Sequence, residues 1–130
     1  MPLVPVNPSS LVAPRGYNHG MKGTGEVLFV AGQVGWDREG RMVPGDFVAQ
    51  FAQALENVLA VVAAAGGTPS SVARLTLYVT DKREYRARQR ELGQAYRRLM
   101  GKHFPAMALV EVAGLLEDDA RVEIEATALL

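Results

Sequence analysis

The stretch DFVAQFAQALENVLAVVAAAGGTPSSVARLTLYVTD, residues 46–81, decides the fold. From Phe47 to Val62 the apolar residues recur three and four positions apart, which is the spacing of one helix face. Asp46 is a suitable N-cap, and Gly66-Gly67 ends the helix. Residues 72–80 then alternate in polarity, which predicts a β-strand. The apolar face of this strand holds Ala73, Leu75, Leu77 and Val79, and the other face holds Arg74, Thr76 and Tyr78.

A second helix and two strands are predicted downstream. Asp81 and Glu84 are spaced as a capping box at the helix start, and Gly101 ends the helix. Its apolar stripe consists of Tyr85, Leu92, Tyr96, Leu99 and Met100. Residues 106–112 and 121–128 predict strands. In the last strand Val122, Ile124, Ala126 and Ala128 share one face, opposite Arg121, Glu123, Glu125 and Thr127.

In residues 1–35, prolines and glycines give the main structural signals. Four prolines among residues 1–15 predict an extended arm, because each one removes a backbone donor. Residues 17–22 and 27–31 flank Gly23-Thr24-Gly25, which predicts a hairpin and, without a third glycine at a helix start, no phosphate loop. The segment Gly32-Gln33-Val34-Gly35 indicates a place where another group approaches the backbone closely.

The composition indicates one domain. The chain has 130 residues, 48% of them hydrophobic, and folding without disulfides is expected because it has no cysteine. The element order predicts an α+β domain, a mixed sheet with two helices on one face. With fourteen basic and fourteen acidic side chains the formal charge is zero, so solubility must come from well-mixed surface charge or from surface hidden in an oligomer, and we favour the oligomer. The sheet face without helices suits either a half-solvated face or a contact with a partner subunit. No signal peptide or membrane span is evident, which favours a cytoplasmic location.

Few residues offer catalytic chemistry. The two histidines, His19 and His103, are far apart, so neither a metal nor another cofactor is expected. The serines at 9, 10, 70 and 71 lack the glycine pattern of a nucleophile elbow. Residues 82–102 hold eight basic side chains, which suit a solvated face or a contact between subunits, and binding to the phosphates of a nucleic acid is the less favoured alternative. Glu123 and Glu125 could activate water if partly buried, or be ordinary exposed strand glutamates.

Several spaced segments resemble the Rid (YjgF) family of reactive-intermediate deaminases, also described as endoribonuclease L-PSP-like. The C-terminal signature is carried by Phe104-Pro105-Ala106, Val110-Glu111-Val112-Ala113 and Val122-Glu123-Ile124-Glu125-Ala126. Other landmarks follow in the same order, namely Gly16-Tyr17, Ala31-Gly32-Gln33, residues 54–58 and Val79-Thr80-Asp81. The resemblance implies a chorismate-mutase-like domain over residues 1–130 that forms a homotrimer with small-molecule clefts between subunits.

The resemblance also implies roles for particular residues. Glu123 matches the glutamate that positions the attacking water, and Tyr17, Gly32 and the adjacent Gln33 match the pocket wall. Met107 stands where the family has an arginine that grips the substrate carboxylate. A thioether has no donors, so amino-acid-derived imines should bind poorly unless another cation, such as Arg121 or one from a neighbouring subunit, replaces it.

Two further features bear on the ligand. Met107 is consistent with a more apolar cleft and a neutral or aromatic ligand. His19 follows the pocket tyrosine closely and could titrate near neutral pH, although a lone histidine is commonly a surface residue. Three functions stay open: an enamine or imine deaminase, a non-catalytic metabolite-binding regulatory trimer and, with the least support, an endoribonuclease or translation inhibitor.

Overall fold

In the computed structural model, which describes residues 3–130, the long helix begins and ends where the sequence predicts. The Asp46 carboxylate accepts a hydrogen bond from the backbone N–H of Ala49 at 3.2 Å and so caps the first turn. The helix, α1, covers Phe47–Ala64. Gly66 has a φ of 92°, a left-handed conformation that favours glycine and turns the chain away from the helix axis.

The remaining elements follow in a simple order. They are β1 (Val4–Val6), β2 (Gly20–Lys22), β3 (Val27–Gln33), β4 (Val72–Val79), α2 (Lys82–Ala87), α3 (Gln89–Met100), β5 (Ala106–Glu111) and β6 (Val122–Leu129), with a 3₁₀ turn at Pro69–Ser71. The main sheet has the strand order β3-β6-β4-β5. Only β4 and β5 in it are parallel, because the helices α2 and α3 connect them as a crossover. The fold is the α+β domain that the sequence predicts.

The core lies between one face of the main sheet and the helices. Helix α1 packs against β3, β6 and α3. By length and composition α1 could cross a membrane, since its mean hydropathy is 1.5 over 18 residues. Its buried stripe packs into the core instead, as in an ordinary core helix. The largest fully buried side chains include Phe47, Leu55, Leu75, Leu77 and Ile124.

On the opposite face of the main sheet, here called the outer face, residues 3–130 place no helix. It carries Glu123, Glu125 and Thr127 of β6, which lie opposite Tyr78, Thr76 and Arg74 of β4, and Phe29 of β3 lies opposite Thr127 on the other side. Phe29 is 78% exposed, and Val27 and Val110 are also exposed. This is the sheet face for which the sequence analysis expects a partner subunit.

The predicted hairpin of β2 and β3 is wrong. Strand β2 pairs with β1, whereas β3 pairs with β6 from Val27 opposite Leu129 onward. The eight-residue β6 offers β3 a long ladder with a matching apolar face, while the extended arm supplies a partner for β2. Gly25 still redirects the chain, with a φ of 140° that a side chain would strain. The arm is extended as predicted, and Val4–Val6 forms a strand within it; Met1 and Pro2 lie outside the described residues.

The second predicted helix is two helices. Its path breaks at Arg88, where φ is −117° and ψ is 22°. The Arg88 guanidinium there donates to the Asp46 carboxylate at 2.7 Å, so the break ties α2 and α3 to the start of α1. Glu84 does not close a capping box, because its carboxylate accepts from Arg121 at 3.0 Å. The alternation in β4 predicts that Ala73 faces the core. A register shift after Val72 instead buries the Val72 side chain there.

Candidate functional site

A bulge in β3 brings a carboxylate against the backbone. The register between β3 and β6 shifts between Val30 and Gln33, and Gly32 lies in this irregular segment. A Cβ placed on Gly32 would lie 2.8 Å from Cδ of Glu123 and collide with its Oε2. Only glycine leaves room for the Glu123 carboxylate at this position. The close approach that the glycine pattern predicts is therefore made by Glu123, a residue that the resemblance singles out.

The two glutamates of β6 have different partners. The Tyr78 hydroxyl donates to Oε1 of Glu125 at 2.6 Å, and this hydrogen bond is the main reason that the pKa of Tyr78 is raised. Across residues 3–130, no hydrogen bond or ion pair is found on the Glu123 carboxylate. Glu123 is half-buried on the outer face. Its oxygens are thus available to accept a hydrogen bond from water, whereas one oxygen of Glu125 is occupied.

Helix α1 fixes the end of β3. The Asn57 amide donates to the carbonyl oxygens of Val34 and Trp36 at 3.2 and 3.1 Å, and it accepts from Gln53 at 2.9 Å. The Gln33 amide turns back to the carbonyl of Ala31 at 3.2 Å. The sequence analysis missed the role of Asn57, although an asparagine interrupting the apolar stripe of α1 is a usable signal of such a tie.

The segment 17–19 is anchored to the start of β5. The backbone N–H of Asn18 donates to the carbonyl of Pro105 at 3.1 Å, and its side chain donates to the carbonyl of Phe104 at 2.5 Å. Tyr17 and His19 pack edge to face with ring centroids 5.3 Å apart. Nε2 of His19 lies 2.7 Å from the carbonyl oxygen of Val12, so this nitrogen carries the hydrogen. His19 thereby ties the arm to the segment that contains Tyr17.

Met107 lies on the helix side of the sheet. It is paired with Leu75 and is half-buried beside the core. Together with Tyr85, Leu92, Tyr96 and Phe104 it forms the apolar floor of a cleft of about 310 Å³, here called the helix-side cleft. Tyr96 and Phe104 stack with centroids 5.5 Å apart, and the Tyr96 hydroxyl donates to the carbonyl of His103 at 2.6 Å. The cleft can accommodate a small molecule with an apolar body.

Within one chain, the predicted site residues form two separate groups. Gly32 and Glu123 meet on the outer face, whereas Met107 faces the helix-side cleft. Gly16 lines that cleft, and Tyr17 follows it in the chain. Arg121 is ion-paired with Glu84 at 3.0 Å and is not among the residues of the same chain that line the cleft. Within a single chain these groups remain two half-sites.

The basic helices are partly neutralised. Ion pairs join Arg83 to Asp81, Arg88 to Asp46 and Glu91, and Arg98 to Glu56. Arg86, Arg90 and Arg97 are exposed. In the part of the chain from residue 3 onward, no group of three histidine or acidic side chains is placed to hold a metal ion. The two half-sites contain a carboxylate, guanidinium groups and aromatic side chains.

The fold and the two half-sites define a small α+β domain that offers one carboxylate and one apolar cleft for a small molecule. The family model described as endoribonuclease L-PSP matches residues 8–130, and the chain belongs to this family, which is the Rid family. A Rid family protein of Yersinia pestis, YyfB, has a solved structure that superposes with a TM-score of 0.88 at 33% identity, covering 100% of both chains.

Two curated relatives are similar over most of their length. A RutC family protein of Pyrococcus horikoshii is 35% identical over 113 residues, which are 86% of this chain and 85% of the relative. The 2-iminobutanoate/2-iminopropanoate deaminase of Escherichia coli is 33% identical over 108 residues, 81% of this chain and 80% of the relative.

Proposed function

We propose that this protein is a cytoplasmic homotrimer whose clefts between adjacent subunits bind a small metabolite and hydrolyse its enamine or imine group. The products are a carbonyl compound and ammonia. The observation that carries the proposal is the Glu123 carboxylate, half-buried against Gly32 and available to water. An active carboxylate must be positioned and must have a free lone pair, and Glu123 meets both conditions.

Association of several copies of the chain would bring the two half-sites together, which one chain cannot do. The Glu123 half-site and the Met107 half-site lie on opposite sides of the same sheet, so a ligand touching both must lie between two chains. The exposed apolar side chains of the outer face, such as Phe29 and Val27, favour association through that face. Tyr17, His19 and Gln33 would then line the cleft around the ligand.

In the proposed reaction Glu123 acts as the general base. It accepts a proton from water while the water oxygen bonds to the imine carbon, and the C=N electron pair moves to nitrogen, which takes up a proton. The resulting carbinolamine loses ammonia as its hydroxyl proton is removed, and the C=O bond forms. The net reaction adds one water and releases one ammonia. An enamine first tautomerises to the imine. No step needs a cofactor.

The name of the Escherichia coli relative, a deaminase of 2-imino acids, supports this reaction type. Met107 stands where the family resemblance places a carboxylate-binding arginine, and this difference argues against simply assigning the substrates of that relative to this chain. Removing a guanidinium fork costs charge-assisted hydrogen bonds of about 1.5–3 kcal/mol, or roughly one to two decades in affinity. The substrate of this chain must therefore be gripped differently.

The test is the pair of variants Glu123→Gln and Glu125→Gln, assayed on imines generated in situ by an amino-acid oxidase. Loss of a general base typically costs 10²–10⁴-fold, so we expect Glu123→Gln to lose about 100-fold or more in turnover. Glu125→Gln is the matched control, since it alters the neighbouring carboxylate on the same face. Equal activities of Glu123→Gln and wild type would refute the assignment of Glu123.

The second candidate function is a metabolite-binding regulatory trimer without catalysis. It is favoured by Met107, which removes a charged group from the cleft but leaves the apolar floor intact. A ligand that binds only the folded state raises its thermal stability by mass action. Stabilisation by small metabolites without ammonia release from any imine would support this function over hydrolysis.

A further inference from the structure

Two arginines stand at the helix-side cleft without neutralising partners. Arg97 of α3 and Arg15 at the end of the arm both line the cleft, and neither takes part in an ion pair within residues 3–130. Among the described residues, the others that line the cleft include no aspartate or glutamate. Arg98, the neighbour of Arg97 in the chain, is by contrast paired with Glu56 at 3.6 Å. The cleft therefore combines an apolar floor with uncompensated positive charge.

A glycine in the middle of α3 also supports a ligand-binding role for this cleft. Gly93 precedes Arg97 by one helical turn, and it also lines the cleft. A Cβ at Gly93 would meet nothing within 4 Å, and its φ is not in the left-handed region, so the backbone does not require glycine there. Glycine within a helix is less favourable than alanine by about 0.8–1 kcal/mol. The open space that it leaves beside Arg97 provides a reason for this cost.

We infer that Arg97, assisted by Arg15, is the carboxylate anchor of this protein and replaces the arginine that the family resemblance places at Met107. The ligand class that fits is a carboxylate with a bulky apolar or aromatic body, such as the 2-imino acid of a large apolar amino acid. The guanidinium groups bind the carboxylate, and the body lies on Met107, Tyr96 and Phe104. This inference rests on the proposed function for the identity of the reacting group, but not for the binding.

The anchor also explains how an apolar residue is tolerated at Met107. Because Arg97 of α3 and Arg15 of the arm supply the positive charge, position 107 in β5 can hold an apolar side chain that enlarges the floor of the cleft. A small 2-imino acid would leave that floor uncovered, whereas a large one would bury it. The inference therefore predicts a preference for large apolar side chains over the one- and two-carbon side chains of 2-iminopropanoate and 2-iminobutanoate.

The first experiment measures binding of phenylpyruvate, the stable oxo-acid product of such an imine, by calorimetry with the full chain. We expect Arg97→Gln to bind it about 10- to 100-fold more weakly, the effect of losing charge-assisted hydrogen bonds. Arg98→Gln, one residue away and outside the cleft, is the matched control and should bind as wild type does. The methyl ester of phenylpyruvate lacks the charge and should bind weakly to every variant.

Two further variants test the geometry. Met107→Arg in the Arg97→Gln background restores a guanidinium to the cleft and should recover most of the lost affinity. Gly93→Leu should keep the fold, as judged by its unfolding temperature, yet reduce phenylpyruvate binding by filling the space beside Arg97. Wild-type affinity in Arg97→Gln, equal binding of acid and ester, or no binding of phenylpyruvate by the wild type would overturn the inference.

Failure of this inference is distinguishable from failure of the proposed function. If wild type binds phenylpyruvate through Arg97 but does not hydrolyse the corresponding imine, the anchor stands and the deaminase function falls. If imines are hydrolysed with dependence on Glu123 but not on Arg97, the function stands and the anchor is refuted.

Discussion

Replacing Gly32 by alanine tests whether the position of the Glu123 carboxylate matters independently of the fold. The added Cβ would lie 2.8 Å from Cδ of Glu123, and an ordinary contact begins at 3.4 Å, so the carboxyl group must move by about 0.6 Å. The collision with Oε2 demands a still larger shift of that oxygen. Misplacing a reacting group by about 1 Å can cost 10²-fold. We expect Gly32→Ala to lower imine turnover by about 10- to 100-fold.

The fold should survive this substitution. The atoms that the new methyl group meets belong to the end of a flexible side chain on the outer face, and the backbone at Gly32 does not have a positive φ. Alanine is also less costly than glycine in a strand by about 0.5–1 kcal/mol, so the free energy of unfolding should change by less than about 1 kcal/mol. Urea denaturation measures this, and ammonia release above the spontaneous rate measures turnover.

A control and a refuting result complete the test. Gly114→Ala adds the same methyl group where nothing lies within 4 Å, and it should leave turnover unchanged. If Gly32→Ala turns over imines as fast as Gly114→Ala does, the carboxylate geometry at Gly32 is irrelevant to the reaction. The Glu123 half-site would then lose its principal structural support.

Three other predictions concern assembly and stability. If the proposed homotrimer forms through the outer face, Phe29→Glu should give folded monomers in light scattering, whereas Leu116→Glu, at a side chain that is 92% exposed in a loop, should not. Gln50→Leu should lower the free energy of unfolding in urea by about 1–3 kcal/mol, because the buried amide bonds two backbone groups at 3.0 and 2.8 Å. The hydrogen bond from Arg88 lowers the pKa of Asp46 from 3.8, so its stabilising contribution is present above that pH and lost as the pH falls through the lowered pKa. The stability difference between wild type and Asp46→Asn should accordingly shrink below pH 3.8, as measured by urea denaturation across pH.

The sequence predicts the elements better than their pairing. Helix α1 and strands β4 and β6 carry local signals, namely a cap, a period and an alternation, and each element appears as predicted apart from the shift at Val72 in β4. The pairing of β3 with β6 instead of β2 depends on residues about a hundred positions apart. A glycine turn such as Gly23-Thr24-Gly25 permits a hairpin but does not require one. The break at Arg88 is likewise a tertiary effect, since it accompanies an ion pair with Asp46.

For the site residues too, local features can be predicted from the sequence and long-range contacts cannot. The glycine pattern predicts a close approach at Gly32, and the resemblance names Glu123, but neither states that these two residues meet. The side of the sheet on which Met107 lies follows from its parallel register with Leu75, which no local pattern specifies. Arg97 lines the cleft together with Arg15, which is about eighty positions away in the sequence. Residues brought together by topology are thus the part that the sequence leaves open.

The bulge in β3 has a second consequence, for solubility. Strand β3 is at the edge of the main sheet, where a regular row of unpaired backbone groups would invite other chains to add strands without limit. The irregular segment between Val30 and Gln33 interrupts that row. A substitution or deletion that regularised β3 would therefore expose a longer template for aggregation, and the same local irregularity that makes room for a carboxylate protects the protein from fibre-like stacking.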